Sequence, residues 1–184
     1  GSGLVGSEMC IRDRIYIQRW FEFSEFIKNY YDLKPNVFLG VPEIYDCMYS
    51  ELKGKKFSFI YNKYFLCSGS PLSRETGENF YAVSDIFPCQ LYGMMEVSTI
   101  CVNKKPDQET LTSVGKQISD IEIRYKPTER SGYYEILIRG ETVSQYYVIN
   151  GEKVPAVDNE GWYYTKDIGF IKDENLYLVG RKEK

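Results

Sequence analysis

The chain has 184 residues, 43% hydrophobic and 27% charged, enough apolar material to bury a core and too much for a disordered chain. A net charge of −3 and a pI near 5.2 exclude a general nucleic-acid binder. Histidine is absent, which excludes His-based triads, His metal ligands and a His general base.

Residues 1–14 (GSGLVGSEMCIRDR) read as a non-native leader, linker-like at the start and without a secretory apolar region. The native protein is then expected to begin upstream. Over residues 15–31, Trp20, Phe23, Phe26, Ile27, Tyr30 and Tyr31 fall at helical spacing, and Pro35 ends the run. Residues 36–41 (NVFLGV) read as a buried strand, and Pro42 suits the first position of a second helix through Ile44, Tyr45, Met48 and Leu52. Residues 64–67 (YFLC) are another strand. Ser68, Gly69 and Ser70 leave it, Pro71 bars further pairing, and Ser73 caps a helix over 74–84.

The apolar run 85–89 predicts a strand leading into QLYGMMEVSTI at 90–100. There Tyr92, Gly93 and Glu96 fall within five positions. An aromatic ring, a residue without a Cβ and a carboxylate suit a nucleotide with its cation; the same residues also make an ordinary turn and a solvated glutamate. The alternation of helix and strand to about residue 100 predicts an α/β fold with a parallel sheet. Beyond the polar stretch 104–112 the period becomes two. Strands are predicted at 121–125, 134–139, 161–164, 169–171 and 176–179, with turns at 158–161 and 173–175, as an antiparallel β-rich part. We expect subdomains over 15–107 and 108–184. Five cysteines, Cys10, Cys47, Cys67, Cys89 and Cys101, form no C-x-x-C hook and read as reduced thiols of a cytoplasmic protein. No apolar run is long enough to span a membrane.

Separate stretches then fall into a familiar order: SGSPLS at 68–73, LYGMME at 91–96, SVGKQISDIEIRY at 113–125, YEILIRGETVSQYY at 134–147 and GWYYTKDIGFIKDENLYLVGR at 161–181. Together they resemble the adenylate-forming (AMP-binding) enzymes: acyl-CoA synthetases, peptide-synthetase adenylation domains and luciferases. The resemblance covers 15–184 and implies an internal fragment of the large N-terminal domain. It implies that Tyr92, beside Gly93, stacks on adenine and that Glu96 binds Mg2+ on the ATP phosphates. Asp167 would accept the ribose hydroxyls, Arg181 would reach the ribose, and Ser68, Gly69 and Ser70 would line the adenine and acyl pocket. Glu183 falls at the family's hinge. From the residues alone, Asp167 also reads as a turn aspartate and Arg181 as a solvated cation of an RKEK tail.

Some positions depart from the pattern. Met95 stands where a threonine usually precedes the glutamate, so a hydroxyl donor is replaced by a thioether. Lys166 stands for the glycine before the aspartate, and Tyr146 for the glycine before Tyr147. The family's phosphate loop and its C-terminal lobe with the acyl-transferring lysine are not found and are expected on missing segments. The resemblance therefore implies part of an ATP-dependent ligase that converts a small carboxylic acid to an acyl-adenylate and passes it to CoA or another thiol. A catalytically inactive nucleotide-binding or interaction module of the same fold is the alternative.

Overall fold

The computed structural model describes residues 14–55, 57–118 and 120–182. Glu183, Cys10 and all of the expected leader except Arg14 lie outside them.

Helix α1 (Phe23–Leu33) starts later than its spacing predicts. Residues 15–22 carry Ile15, Ile17 and Trp20 on the surface, with no core to hold a helix there. The helix ends on Lys34 in the left-handed region, just before Pro35. Strand β1 (Val37–Gly40), helix α2 (Pro42–Leu52) with proline in its first turn, and strand β2 (Tyr64–Cys67) follow as the sequence indicates. Helix α3 (Arg74–Ser84) is capped by Ser73, whose Oγ accepts the Thr76 N–H at 2.9 Å. Ser73→Ala is expected to cost about 1 kcal/mol, read as a lowered midpoint in urea.

The strand predicted at 85–89 is not there. Asp85 ends α3 in the left-handed region and Pro88 has no N–H to donate, so pairing begins with β3 (Cys89–Met94). β1, β2 and β3 run parallel, with Leu66 opposite Cys89. β4 (Ser98–Val102) and β5 (Lys116–Gln117) then extend the sheet antiparallel, in the order β1-β2-β3-β4-β5. Phe38, Phe65 and Cys67 face α1, α2 and α3 and form the first core with Phe26, Tyr30, Tyr45 and Phe80. Val37, Leu39 and Tyr64, on the opposite face, are exposed.

A four-stranded antiparallel sheet follows, built from β6 (Glu122–Pro127), β7 (Tyr134–Arg139), β10 (Tyr163–Lys172) and β11 (Asn175–Arg181) in the order β11-β10-β7-β6. The two short strands expected within 161–171 are one continuous β10. A separate hairpin, β8 (Tyr146–Ile149) and β9 (Glu152–Pro155), turns on Asn150–Gly151, both at positive φ. The second core joins the two sheets, packing Val97, Ile100 and Cys101 against Ile136, Ile138, Tyr163 and Leu176.

The four described cysteines are free thiols; Cys47 is exposed, while Cys67, Cys89 and Cys101 are buried. Burial pushes Cys67 and Cys101 up to about 12 and Cys89 up to about 11. Only the thiolate reacts, so iodoacetamide at pH 8 is expected to mark Cys47 among the four until the chain unfolds, read by mass spectrometry. The three buried thiols favour the folded state fully below the unfolded thiol value of about 8.5, and that contribution is lost as pH rises towards their folded values.

Candidate functional site

β3 carries Tyr92 into the second core, where it is 6% exposed. Its hydroxyl donates to Asp167 Oδ2 at 2.7 Å. Burial first, then that bond, raises the phenol far above its ordinary value, so it stays protonated and able to donate. On the other carboxylate oxygen, Arg181 Nε lies 3.1 Å from Asp167 Oδ1. A carboxylate offers about four lone-pair positions, so both oxygens keep capacity for further donors.

Asp167 and Arg181 meet because of a bulge. From the turn, Lys172 faces Asn175, Ile171 faces Leu176 and Gly169 faces Leu178; continued unchanged, that register would set Gly180 opposite Asp167. The ladder shifts between Ile168 and Gly169, Ile168 faces Gly180, and Arg181 comes opposite Asp167. One extra residue, Val179, thus re-aims the arginine. Gly169 is needed there, since a Cβ would lie 2.6 Å from the Tyr177 carbonyl oxygen.

Asp167 is also held through its backbone. Its N–H donates to Thr165 Oγ1 at 3.0 Å, and that hydroxyl donates to the Ile136 carbonyl at 2.8 Å. Between them Lys166 sits at φ +63°, in the left-handed region that favours glycine, and its carbonyl accepts the Lys182 N–H at 2.7 Å.

Glu96 lies on the turn between β3 and β4. Its Oε1 accepts the Tyr147 hydroxyl at 3.1 Å, and the Tyr147 and Tyr163 hydroxyls are 3.0 Å apart. Its carbonyl accepts the Ser144 N–H at 2.7 Å. Among the described residues no lysine or arginine pairs with it. Gly93 lets the hairpin close, because a Cβ would fall 2.4 Å from the Ser98 carbonyl oxygen. Met95, at the tip, is 100% exposed.

Ser68, Gly69 and Ser70 leave the C-terminal end of β2. The Ser68 N–H donates to the Gly40 carbonyl at 3.0 Å, and Gly69 has φ +91°. The loop opens at the same end of the parallel ladder as Tyr92, the end where ligands bind in such sheets. No hydrogen bond among the described residues joins it to Asp167, Arg181 or Glu96.

The structure therefore brings Tyr92, Asp167 and Arg181 into direct contact and connects Glu96 to β10 through two tyrosines. Neither spacing nor the resemblance points to a role for Tyr147, Tyr163 or Thr165. The Asn150–Gly151 pair, a strong two-residue hairpin signal, was available to place Tyr147 on a strand. Among the described residues no group of three or more His, Cys, Asp or Glu could hold a metal ion. A single hard carboxylate such as Glu96 fits a cation whose other ligands are phosphate and water.

A family profile described as AMP-binding enzyme matches residues 5–148, and the chain belongs to that family. The long-chain-fatty-acid–CoA ligase ACSBG2 of Xenopus laevis is 36% identical over 115 residues, covering 61% of this chain and 15% of that protein. The mitochondrial acyl-coenzyme A synthetase ACSM4 of Rattus norvegicus is 25% identical over 182 residues, covering 92% of this chain and 31% of that one. The chain thus spans under a third of the length of these two relatives. Among solved structures, O-succinylbenzoate coenzyme A synthetase from Bacillus subtilis, in complex with AMP, aligns at TM-score 0.72 with 24% identity over 88% of this chain and 34% of that one. The α/β fold, a parallel sheet followed by an antiparallel β-rich part, is that of the adenylate-forming enzymes.

Proposed function

We propose that this chain carries the adenosine-binding part of an ATP-dependent ligase that activates a carboxylic acid as its acyl-adenylate and passes it to CoA. The observation that supports it is the contact of Tyr92 and Arg181 with the two oxygens of Asp167. A carboxylate fixed on both oxygens, with lone pairs left over, is the acceptor that two neighbouring ribose hydroxyls require. Arg181 brings further donors of its guanidinium fork to the same edge of the sugar. Gly93 is exposed and leaves room beside the base. Tyr92, 6% exposed in the second core, serves the site through its hydroxyl on Asp167 and not as the stacking platform the resemblance implies. Ser68, Gly69 and Ser70 line the side of the base and the start of the acyl pocket. Residues 15–107 supply that loop and the Glu96 hairpin; residues 108–184 supply Asp167 and Arg181.

Glu96 would contribute one oxygen to Mg2+ carried by the nucleotide, and that ion would supply charge neutralisation at the phosphates. The chain's own residues then bind and orient the nucleotide; holding two anions together is most of the catalytic task in such a transfer. Met95 brings no donor to the phosphates. The open apolar face of the first sheet supports a longer protein around this part, since parallel sheets are covered on both faces. No described helix is long and apolar enough to cross a membrane, and the free thiols support a cytoplasmic setting.

Equilibrium dialysis of the chain against labelled ATP with Mg2+ tests the reading. Saturable binding that AMP displaces is expected. Absence of saturable binding would sink it. Pyrophosphate release with a panel of fatty and aryl acids is a test for the full-length protein, since this chain alone is expected to bind ATP weakly and to turn over slowly or not at all.

A further inference from the structure

Glu96 stands on an exposed turn, where a glutamate side chain is ordinarily free to rotate and its ordering costs entropy. Here it is not free. The Tyr147 hydroxyl donates to Oε1, and the Tyr163 hydroxyl lies 3.0 Å beyond. An ionised carboxylate only accepts, so Tyr147 donates its single proton to Glu96, and the Tyr163 hydroxyl sits against both the Tyr147 hydroxyl and the Glu96 carboxylate. Tyr147 is 38% exposed and would wander alone, whereas Tyr163 is 8% exposed and packed in the second core. The same segment is attached at a second point by the Ser144 N–H on the Glu96 carbonyl. None of the described cations competes for the carboxylate.

We infer that Tyr147 and Tyr163 are positioning residues that orient the Glu96 carboxylate towards a divalent cation carried on the nucleotide. The inference rests on the nucleotide reading above. Neither tyrosine touches the cation in this role. They fix one oxygen so that the group meets the ion already ordered, as outer hydrogen-bond partners do for ligating carboxylates. The anchor runs back to β10, the strand that carries Asp167, so the cation end and the ribose end of the site share one rigid element.

The test compares the dissociation constant of a non-hydrolysable ATP analogue with Mn2+ and with EDTA, on the intact chain and on Tyr147→Phe, Tyr163→Phe and Glu96→Gln. In the wild type Mn2+ tightens binding. Tyr147→Phe is expected to reduce that metal-dependent gain about tenfold while leaving the EDTA value unchanged. Tyr163→Phe moves it in the same direction by less, and Tyr147→Phe adds nothing on top of Glu96→Gln. An unchanged metal gain in Tyr147→Phe, with binding otherwise intact, overturns the inference and leaves the nucleotide reading standing. Equal losses with Mn2+ and EDTA also overturn it, since they mark a structural role. A wild-type chain that binds no nucleotide overturns both.

Discussion

Gly115→Ala is expected to destabilise the chain by roughly 2–5 kcal/mol and to lower its melting temperature by about 4–20 °C. Gly115 has φ +77°, and a Cβ there would lie 2.1 Å from the Val102 carbonyl oxygen and 2.4 Å from the backbone of Asn103. The left-handed conformation costs a non-glycine residue about 1–2 kcal/mol, and overpacking adds about 1–3. Neither neighbour can give way, because both are backbone. The position also joins the two sheets: the Leu176 N–H donates to the Gly115 carbonyl at 2.9 Å, while the Ser113 hydroxyl and the Val114 N–H donate to the Leu176 carbonyl at 2.8 and 2.9 Å. Gly132 provides the control. It has φ +81° with nothing within 4 Å of an added Cβ, so Gly132→Ala pays only the conformational part, about 1–2 kcal/mol. Thermal melts of the two variants separate steric from conformational cost. Coincident melting curves would show that the close approach at Gly115 does not matter.

Asp167→Ala is expected to weaken ATP binding by at least about a hundredfold. A hydrogen bond to a charged acceptor is worth about 1.5–3 kcal/mol, and the proposed site makes two to the ribose. The same change leaves the Tyr92 hydroxyl buried without its acceptor, at about 1–3 kcal/mol of stability. Tyr92→Phe separates the two effects. It removes the hydroxyl, keeps the ring and leaves both carboxylate oxygens available, so stability falls while affinity changes only a few-fold. Isothermal titration with ATP, alongside urea denaturation, reads both. Wild-type affinity in Asp167→Ala would refute the assignment of the ribose to this carboxylate.

What the sequence revealed and what it hid divide along the range of the interactions. Pro42 and Ser73 are local signals, and α2 and α3 begin where those residues put them. The period-two pattern over 134–139 became β7 with the same limits. The spacing over 15–31 misplaced α1 because periodicity records which face is apolar and not whether a core exists to receive it. The resemblance put Asp167 and Arg181 at one ribose, but their cross-strand pairing was hidden for a different reason: the extra residue at Val179 changes register without any mark in composition. The bonds from Tyr92 to Asp167 and from Tyr147 to Glu96 join residues far apart in the chain, and only the packing of the second core brings them together.

Lys166 shows the same distinction from the other side. In sequence it is a departure from the resemblance, a cation where glycine is expected. In space it holds the left-handed conformation that explains a glycine preference, and Asp167 beside it remains bonded to Thr165, Tyr92 and Arg181. The substitution adds strain of about 1–2 kcal/mol and leaves the geometry in place.

Titrating the isotope-labelled chain with ATP and Mg2+ and following its backbone amide resonances asks whether one nucleotide meets these residues together. Saturable shifts are expected to concentrate in residues 92–97, 144–147, 163–168 and 180–181, all fitting a single dissociation constant. Shifts gathered elsewhere, or these segments responding with unrelated affinities, would contradict a shared adenosine site.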